Sequence, residues 1–233
     1  MADTPRRVAI VSGGTGALGQ CVSRRLLGVG ATVWVPFAVP AELDALRGAL
    51  DSAAAARLHA VPSDVTDEAA FGEFVRGVLA AHGRIDILVN GVGGFAPGDL
   101  ASTPVAEWNR MLTLNLTSAM IGCRGVLSAM TAAGFGRIIN IASRAVVPPL
   151  GGFIGYTVGK AGVITLTQAL AREVARGITV NAVLPSTMDT PANRKAMPDA
   201  DRTEWVSPEA VADVIAYLAS DEASAISGAA IPV

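Results

Sequence analysis

Val8-Ala9-Ile10-Val11-Ser12-Gly13-Gly14-Thr15-Gly16-Ala17-Leu18-Gly19 is the stretch that decides the fold. A short apolar run meets a glycine cluster, and Gly19–Val29 then reads as a helix closed by Gly30. Glycines between a strand and a helix let the backbone approach a pyrophosphate seated on the helix N-terminus. Gly14, Gly16 and Gly19 also satisfy the G-x-G-x-x-G spacing. The bland alternative is a tight turn without a ligand. Position decides between them, because the turn joins a first strand to a first helix.

Outward from this turn, β-rich runs alternate with helix-length segments. Strands are predicted at Val8–Val11, Thr32–Val35, Leu58–Val61, Ile85–Val89, Arg137–Ile141, Ile178–Val183 and Ala229–Val233. Helices are predicted at Ala41–Arg57, Asp67–His82, Pro104 to about Ala133, Gly155–Arg176 and Pro208–Ala219. This alternation argues for βαβ units: an α/β fold with a doubly wound parallel sheet and helices on both faces, in three layers. A single domain over residues 1–233 suits the length, with one long irregular stretch at about 185–206 that reads as a loop or lid over a site.

Composition narrows the class. Apolar residues make up 51% and charged residues 16%, as expected for a sheet covered on both sides. No run of apolar residues is long and uncharged enough to span a bilayer, so no membrane partner is expected. The net charge of −2 offers no footprint for nucleic acid. Cys21 and Cys123 stand alone, as do His59 and His82, so neither a metal site nor a histidine-centred triad is expected. A polar start and lone cysteines are read as a reduced, cytoplasmic chain.

The second strand ends Val35-Pro36-Phe37-Ala38. An acidic residue there would hold an adenosine ribose, and an arginine a 2′-phosphate; Phe37 is neither. Glu42 and Arg47 are nearby but read as helical and turned away. The cofactor is therefore NAD or NADP with weak discrimination expected. Asp64, after the third strand, reads either as an acceptor for an adenine amino group or as the cap of the next helix.

Tyr156-Thr157-Val158-Gly159-Lys160 places a phenol and an ammonium one helical turn apart. A free tyrosine titrates near about 10, and an adjacent cation favours its phenolate, so the pair suits acid/base chemistry on an alcohol or carbonyl. By spacing alone a surface Tyr/Lys pair is the favoured reading. Ser143, just past the fifth strand, supplies a hydroxyl at the carboxyl edge of the sheet, where open α/β folds bind ligands. Asn115 is a polar residue amid Leu112, Leu114 and Leu116, and buried there it needs a partner.

With these motifs in order, the chain resembles the short-chain dehydrogenase/reductase family over nearly its whole length. The resemblance rests on Ser12–Gly19, Asp64, Asn90-Gly91-Val92-Gly93, Asn115, Ser143, Tyr156-x-x-x-Lys160 and Asn181-Ala182-Val183-Leu184-Pro185. It implies a Rossmann fold and hydride transfer between a nicotinamide cofactor and a small carbonyl or alcohol substrate. It implies a catalytic tetrad of Asn115, Ser143, Tyr156 and Lys160. Ser143 would hold the substrate oxygen and Tyr156 exchange its proton. Lys160 would hold the ribose and bias Tyr156, and Asn115 would keep a relay water. Cofactor contacts would come from Gly13, Gly14, Thr15, Gly16, Ala17, Leu18, Gly19, Phe37, Asp64, Val65, Asn90, Gly91, Tyr156, Lys160, Pro185, Thr187 and Thr190.

The chain departs from the family pattern at Ser12, Ala17, Gly91, Val92 and Ser186. Gly13–Gly19 and Leu184–Pro198 resemble dihydropteridine reductase, although Ser143 and Phe37 depart from it. Arg137 and Arg172 match positions that bind an acyl carrier in 3-oxoacyl reductases, although Arg172-Glu173 is equally a surface charge pair. A dinucleotide sensor without turnover is the alternative from another class. An intact set of four reactive side chains argues against it. The helices Pro104–Ala133 and Gly155–Arg176 are apolar all round, and the resemblance places them at a subunit interface, so a homodimer or homotetramer is expected.

Overall fold

A computed structural model describes Arg6–Val233. In chain order the elements are β1 (Val8–Ser12), α1 (Ala17–Gly28), β2 (Thr32–Phe37), α2 (Pro40–Gly48), α3 (Ser52–Ala55), β3 (Leu58–Pro62), α4 (Glu68–His82), β4 (Ile87–Asn90), α5 (Val105–Leu112), α6 (Ser118–Ala133), β5 (Gly136–Ile141), α7 (Ile154–Glu173), β6 (Ile178–Leu184), α8 (Pro191–Ala196), α9 (Pro208–Leu218) and β7 (Ala230–Pro232). The seven strands form one parallel sheet in the order β3-β2-β1-β4-β5-β6-β7. The chain winds outward from β1 to β3, then returns to β4 on the other side of β1. The carboxyl ends of β1 and β4 therefore flank the switch point, where such sheets open a crevice.

Alternation along the strands sorts side chains to two cores. Ala9 and Val11 face α1 and α9, packing with Leu26, Val211 and Ile215. Val8 and Ile10 face the opposite layer, with Phe71 and Val78 of α4 and Val126 and Met130 of α6. Pairing between β1 and β2 stops at Trp34, so Pro36, which has no N–H to give, lies where β2 has only β3 beside it. No helix among the described residues is long and apolar enough to cross a membrane.

The structure corrects several sequence expectations. The helix expected over 41–57 is two, broken near Gly48, with Asp51 capping the second by accepting from the Ala54 N–H at 2.7 Å. The α4 cap is Asp67, whose carboxylate accepts from the Ala70 N–H at 3.0 Å, and not Asp64. The helix expected from Pro104 to Ala133 contains a wide turn at Thr113–Thr117, where the Ser118 N–H reaches back to the Thr113 carbonyl. The stretch 185–206 is not featureless. It holds α8, and its ends are clasped by a bridge between Met188 and Val206, with the Asp189 N–H on the Val206 carbonyl at 2.8 Å and the Val206 N–H on the Thr187 carbonyl at 3.0 Å.

Candidate active site

The glycine turn is built for close approach. Gly13 has φ +70°, and a Cβ on it would lie 3.0 Å from the Gly91 backbone, so the ends of β1 and β4 meet glycine to glycine. A Cβ on Gly19 would stand 1.9 Å from the Gly13 carbonyl oxygen, so only glycine lets α1 start beneath the turn. Gly16 caps α1 without a side-chain bond, and the first turn carries no acidic residue. The α1 N–H groups there stay available to an anion, as a pyrophosphate requires. A Cβ on Gly16 would meet nothing closer than 3.5 Å, so the outer side of the cradle is open.

The loop after β4 forms the other wall. A Cβ at Gly91 would come 2.8 Å from the Ser12 carbonyl oxygen, so the backbone here leaves no room for a side chain. Gly93 passes directly over two site residues: its Cβ would lie 2.8 Å from Asn115 Oδ1 and 3.1 Å from Lys160 Nζ. Asn115, 1% exposed, rides on the wide turn. Its Nδ2 donates to the Gly94 carbonyl at 2.9 Å and the Met111 carbonyl at 3.0 Å, and its Oδ1 accepts from the Gly94 N–H at 3.2 Å. One amide donor is thus committed to the loop and the other to α5. Asn115 is a strut between the loop and α5. Such wide turns recur at functional sites because they re-aim one residue out of the helical ladder.

Ser143 follows β5, and its Oγ accepts from the Ala145 N–H at 3.2 Å. Tyr156 and Lys160 stand in the first two turns of α7. Burial pushes the Tyr156 phenol above its usual value, and the Ser143 hydroxyl beside it pulls back. Lys160 is buried, donates from Nζ to the Ile141 carbonyl at 2.7 Å, and is brought down to about 8 by desolvation. Near neutral pH the pair is a protonated phenol and an ammonium, the resting state of a group able to give a proton.

Phe95 and Phe153 complete an aromatic trio with Tyr156. Ring centroids lie 5.3 Å apart for Phe95–Tyr156, 6.0 Å for Phe153–Tyr156 and 5.4 Å for Phe95–Phe153. The two loops are tied by the Gly98 N–H on the Gly152 carbonyl at 2.7 Å and the Ile154 N–H on the Gly98 carbonyl at 3.0 Å. Phe95 nevertheless stays 59% exposed. The sequence reading passed over Phe95, although a large aromatic after Gly93-Gly94 was its signal.

The remaining expected residues divide. The Asn90 side chain points into the core, donating to Asn140 Oδ1 at 2.8 Å, while Asn140 donates to Thr167 Oγ1 at 2.9 Å. Val65 is likewise a core residue. Phe37 ends β2, its carbonyl accepting from the Ser63 N–H at 3.2 Å. Asp64 is exposed and accepts from Thr66 Oγ1 at 2.7 Å, which lowers its carboxyl pKa. The Pro185 carbonyl accepts from the Arg144 N–H at 3.0 Å, joining the start of the long loop to the Ser143 segment. Thr187 lies at the clasp, and Thr190 caps α8 by accepting from the Asn193 N–H at 3.2 Å. Arg137 is 3% exposed and donates to the carbonyls of Ser220, Gly136 and Gly177, so it has no role toward an acyl carrier. Glu42 is helical as expected but not turned away. Thr15 Oγ1 in the glycine turn donates to Glu42 Oε2 at 3.0 Å.

A dinucleotide cradle at the switch point, with proton-exchanging groups across the crevice, is the equipment of an oxidoreductase that works on a hydroxyl or carbonyl group. Comparison with known proteins narrows this. The profile of the short chain dehydrogenase family matches residues 7–201. The chain is 30% identical to D-beta-hydroxybutyrate dehydrogenase of Rhizobium meliloti, covering 95% of each chain. It is 34% identical to cis-4-hydroxycyclohexanecarboxylate dehydrogenase of Sinomonas cyclohexanicum, covering 97% of this chain and 94% of the relative. The crystal structure of levodione reductase superposes with a TM-score of 0.88 at 27% identity, over 97% of this chain and 95% of that one. The chain belongs to the short chain dehydrogenase family. It is an NAD(P)-dependent oxidoreductase.

Proposed function

We propose that the chain interconverts a compact, apolar, ring-bearing secondary alcohol and its ketone, with Tyr156 as the proton-exchanging group. The observation that carries this reading is the phenol of Tyr156 beside the Ser143 hydroxyl and walled by the rings of Phe95 and Phe153. Ser143 holds the substrate oxygen. Tyr156 gives its proton to that oxygen in the direction of reduction and takes it back in oxidation. Lys160 keeps a positive charge beneath the site and reaches the cofactor ribose. Asn115 positions the loop over both. The backbone of Thr15–Gly19 holds the pyrophosphate, Asp64 the adenine, and Thr190 the carboxamide. When bound, the nicotinamide takes up or returns the hydride. The loop between Met188 and Val206 covers the substrate.

Aromatic faces favour apolar rings over carboxylates next to the reacting carbon. A relative named for a hydroxycyclohexanecarboxylate supports this choice, and one named for hydroxybutyrate offers the acyclic competitor. Turnover of cyclohexanone-type ketones against short acyclic keto acids tests it. Cyclic substrates should have the higher kcat/KM, and Phe95→Ala should lower that value roughly fivefold, as loss of an aromatic contact of about 1 kcal/mol implies. A preference for the acyclic acids, unmoved by Phe95→Ala, would sink the substrate reading.

We further propose a homo-oligomer. Met120 on α6 and Val158 on α7 remain exposed, at 37% and 38%. Burying the outer faces of these helices between subunits removes that apolar surface from water. Sedimentation should give a multiple of 23.7 kDa, and a mass near 23.7 kDa at micromolar concentration would contradict assembly.

A further inference from the structure

The end of β2 carries Phe37 and no charge for the adenosine ribose, yet the next element brings a carboxylate to the glycine turn. Glu42 lies in the first turn of α2, which begins three residues after Phe37 with Pro40. Its Oε2 accepts from Thr15 Oγ1 at 3.0 Å, and Thr15 itself is only 4% exposed within the glycine turn. Oε1 has no hydrogen-bond partner among the described residues. Glu42 is otherwise exposed, so its charge stands at the solvent side of the cradle. In a doubly wound sheet the pyrophosphate sits on the α1 N-terminus and the adenosine ribose at the carboxyl end of β2. The Glu42 carboxylate meets the glycine turn at Thr15 from α2, the element that follows β2 directly. Asp44 and Arg47 of the same helix point about 200° and about 140° away from it at roughly 100° per residue, so neither reinforces nor neutralises it there.

We infer that Glu42 is the residue that selects the nucleotide, favouring NAD(H) over NADP(H). The inference rests on the dinucleotide reading above. Oε1 accepts from a ribose hydroxyl, while Thr15 holds the other oxygen in place. A 2′-phosphate removes that hydroxyl and brings a charge of about −1.5 to −2 against the carboxylate. The weak discrimination expected from Phe37 alone is thereby replaced by a definite preference.

The test is equilibrium titration of the full chain with NADH and NADPH separately, read by nucleotide fluorescence, so that no substrate is needed. The wild type should bind NADH at least about tenfold more tightly than NADPH. Glu42→Gln keeps an acceptor for Thr15 and loses the charge, and should bring the two within about threefold. Glu42→Lys should reverse the order. Added salt should shrink the wild-type preference, because exposed charges are screened. Wild-type affinities within about threefold of each other, or Glu42 variants that change both nucleotides by one factor, would overturn the inference. NADH binding without discrimination removes the role of Glu42 alone. Binding of neither nucleotide removes the dinucleotide reading and this inference with it.

Discussion

Tyr156→Phe is expected to lower turnover by at least the ~10²–10⁴-fold that accompanies loss of a general acid. The substitution deletes one oxygen. Its ring keeps the edge contacts to Phe95 at 5.3 Å and Phe153 at 6.0 Å, so the walls of the site should stand. Ser143 then faces a ring edge with nothing to share the substrate oxygen. Cofactor affinity should change little, because the cradle of Gly13–Gly19 is untouched. Measuring kcat together with NADH titration separates the two. Near wild-type turnover would remove Tyr156 from the mechanism and the site from the proposal.

Lys160→Met should do something less usual: it should stabilise the protein while crippling it. Lys160 is buried and its pKa falls from 10.5 to about 8. At 1.36 kcal/mol per unit, its charged form costs up to about 3 kcal/mol in the folded state at neutral pH. The sign follows from proton counting. The folded pKa is the lower one, so between about 8 and 10.5 the unfolded chain holds the extra proton, and stability rises with pH through that window. Below about 8 the full penalty applies. Methionine removes it, though the lost bond to the Ile141 carbonyl at 2.7 Å returns about 1 kcal/mol. The variant should melt several degrees higher at pH 7, and its melting temperature should no longer climb between about pH 8 and 10.5. Cofactor binding and turnover should both fall. A lower melting temperature for Lys160→Met at pH 7 would show that the ammonium is not destabilising.

The sheet was legible because its strands are short apolar runs punctuated by glycine, and Val8–Gly19 sets the rest in order. Tyr156 and Lys160 were legible because both lie on one helix at a fixed spacing. What escaped depends on distance in sequence. Glu42 and Thr15 are 27 residues apart, and no local pattern says that their side chains meet. Phe95 sits on a loop whose course is set by backbone bonds to Gly152 and Ile154. The wide turn at Thr113–Thr117 was hidden for another reason: no local pattern in these residues marks it, and the Asn115 bonds that accompany it reach to Gly94, 21 residues away. The inward turn of the Asn90 side chain was not legible, because a strand-end polar residue looks the same whether it faces a crevice or, as here, Asn140.

The clasp between Met188 and Val206 has a consequence for how this scaffold can diverge. Because both ends of the loop are fixed at one point, changes between them do not propagate into β6 or α9. Doubling the length of such a closed loop costs only about 0.6 kcal/mol in closure entropy. Insertions and sequence drift between Asp189 and Trp205 are therefore nearly neutral for folding, and where this loop covers the substrate as proposed, each of them changes what the substrate meets. New substrate preferences can accumulate there one residue at a time, without first disturbing the groups that move the proton.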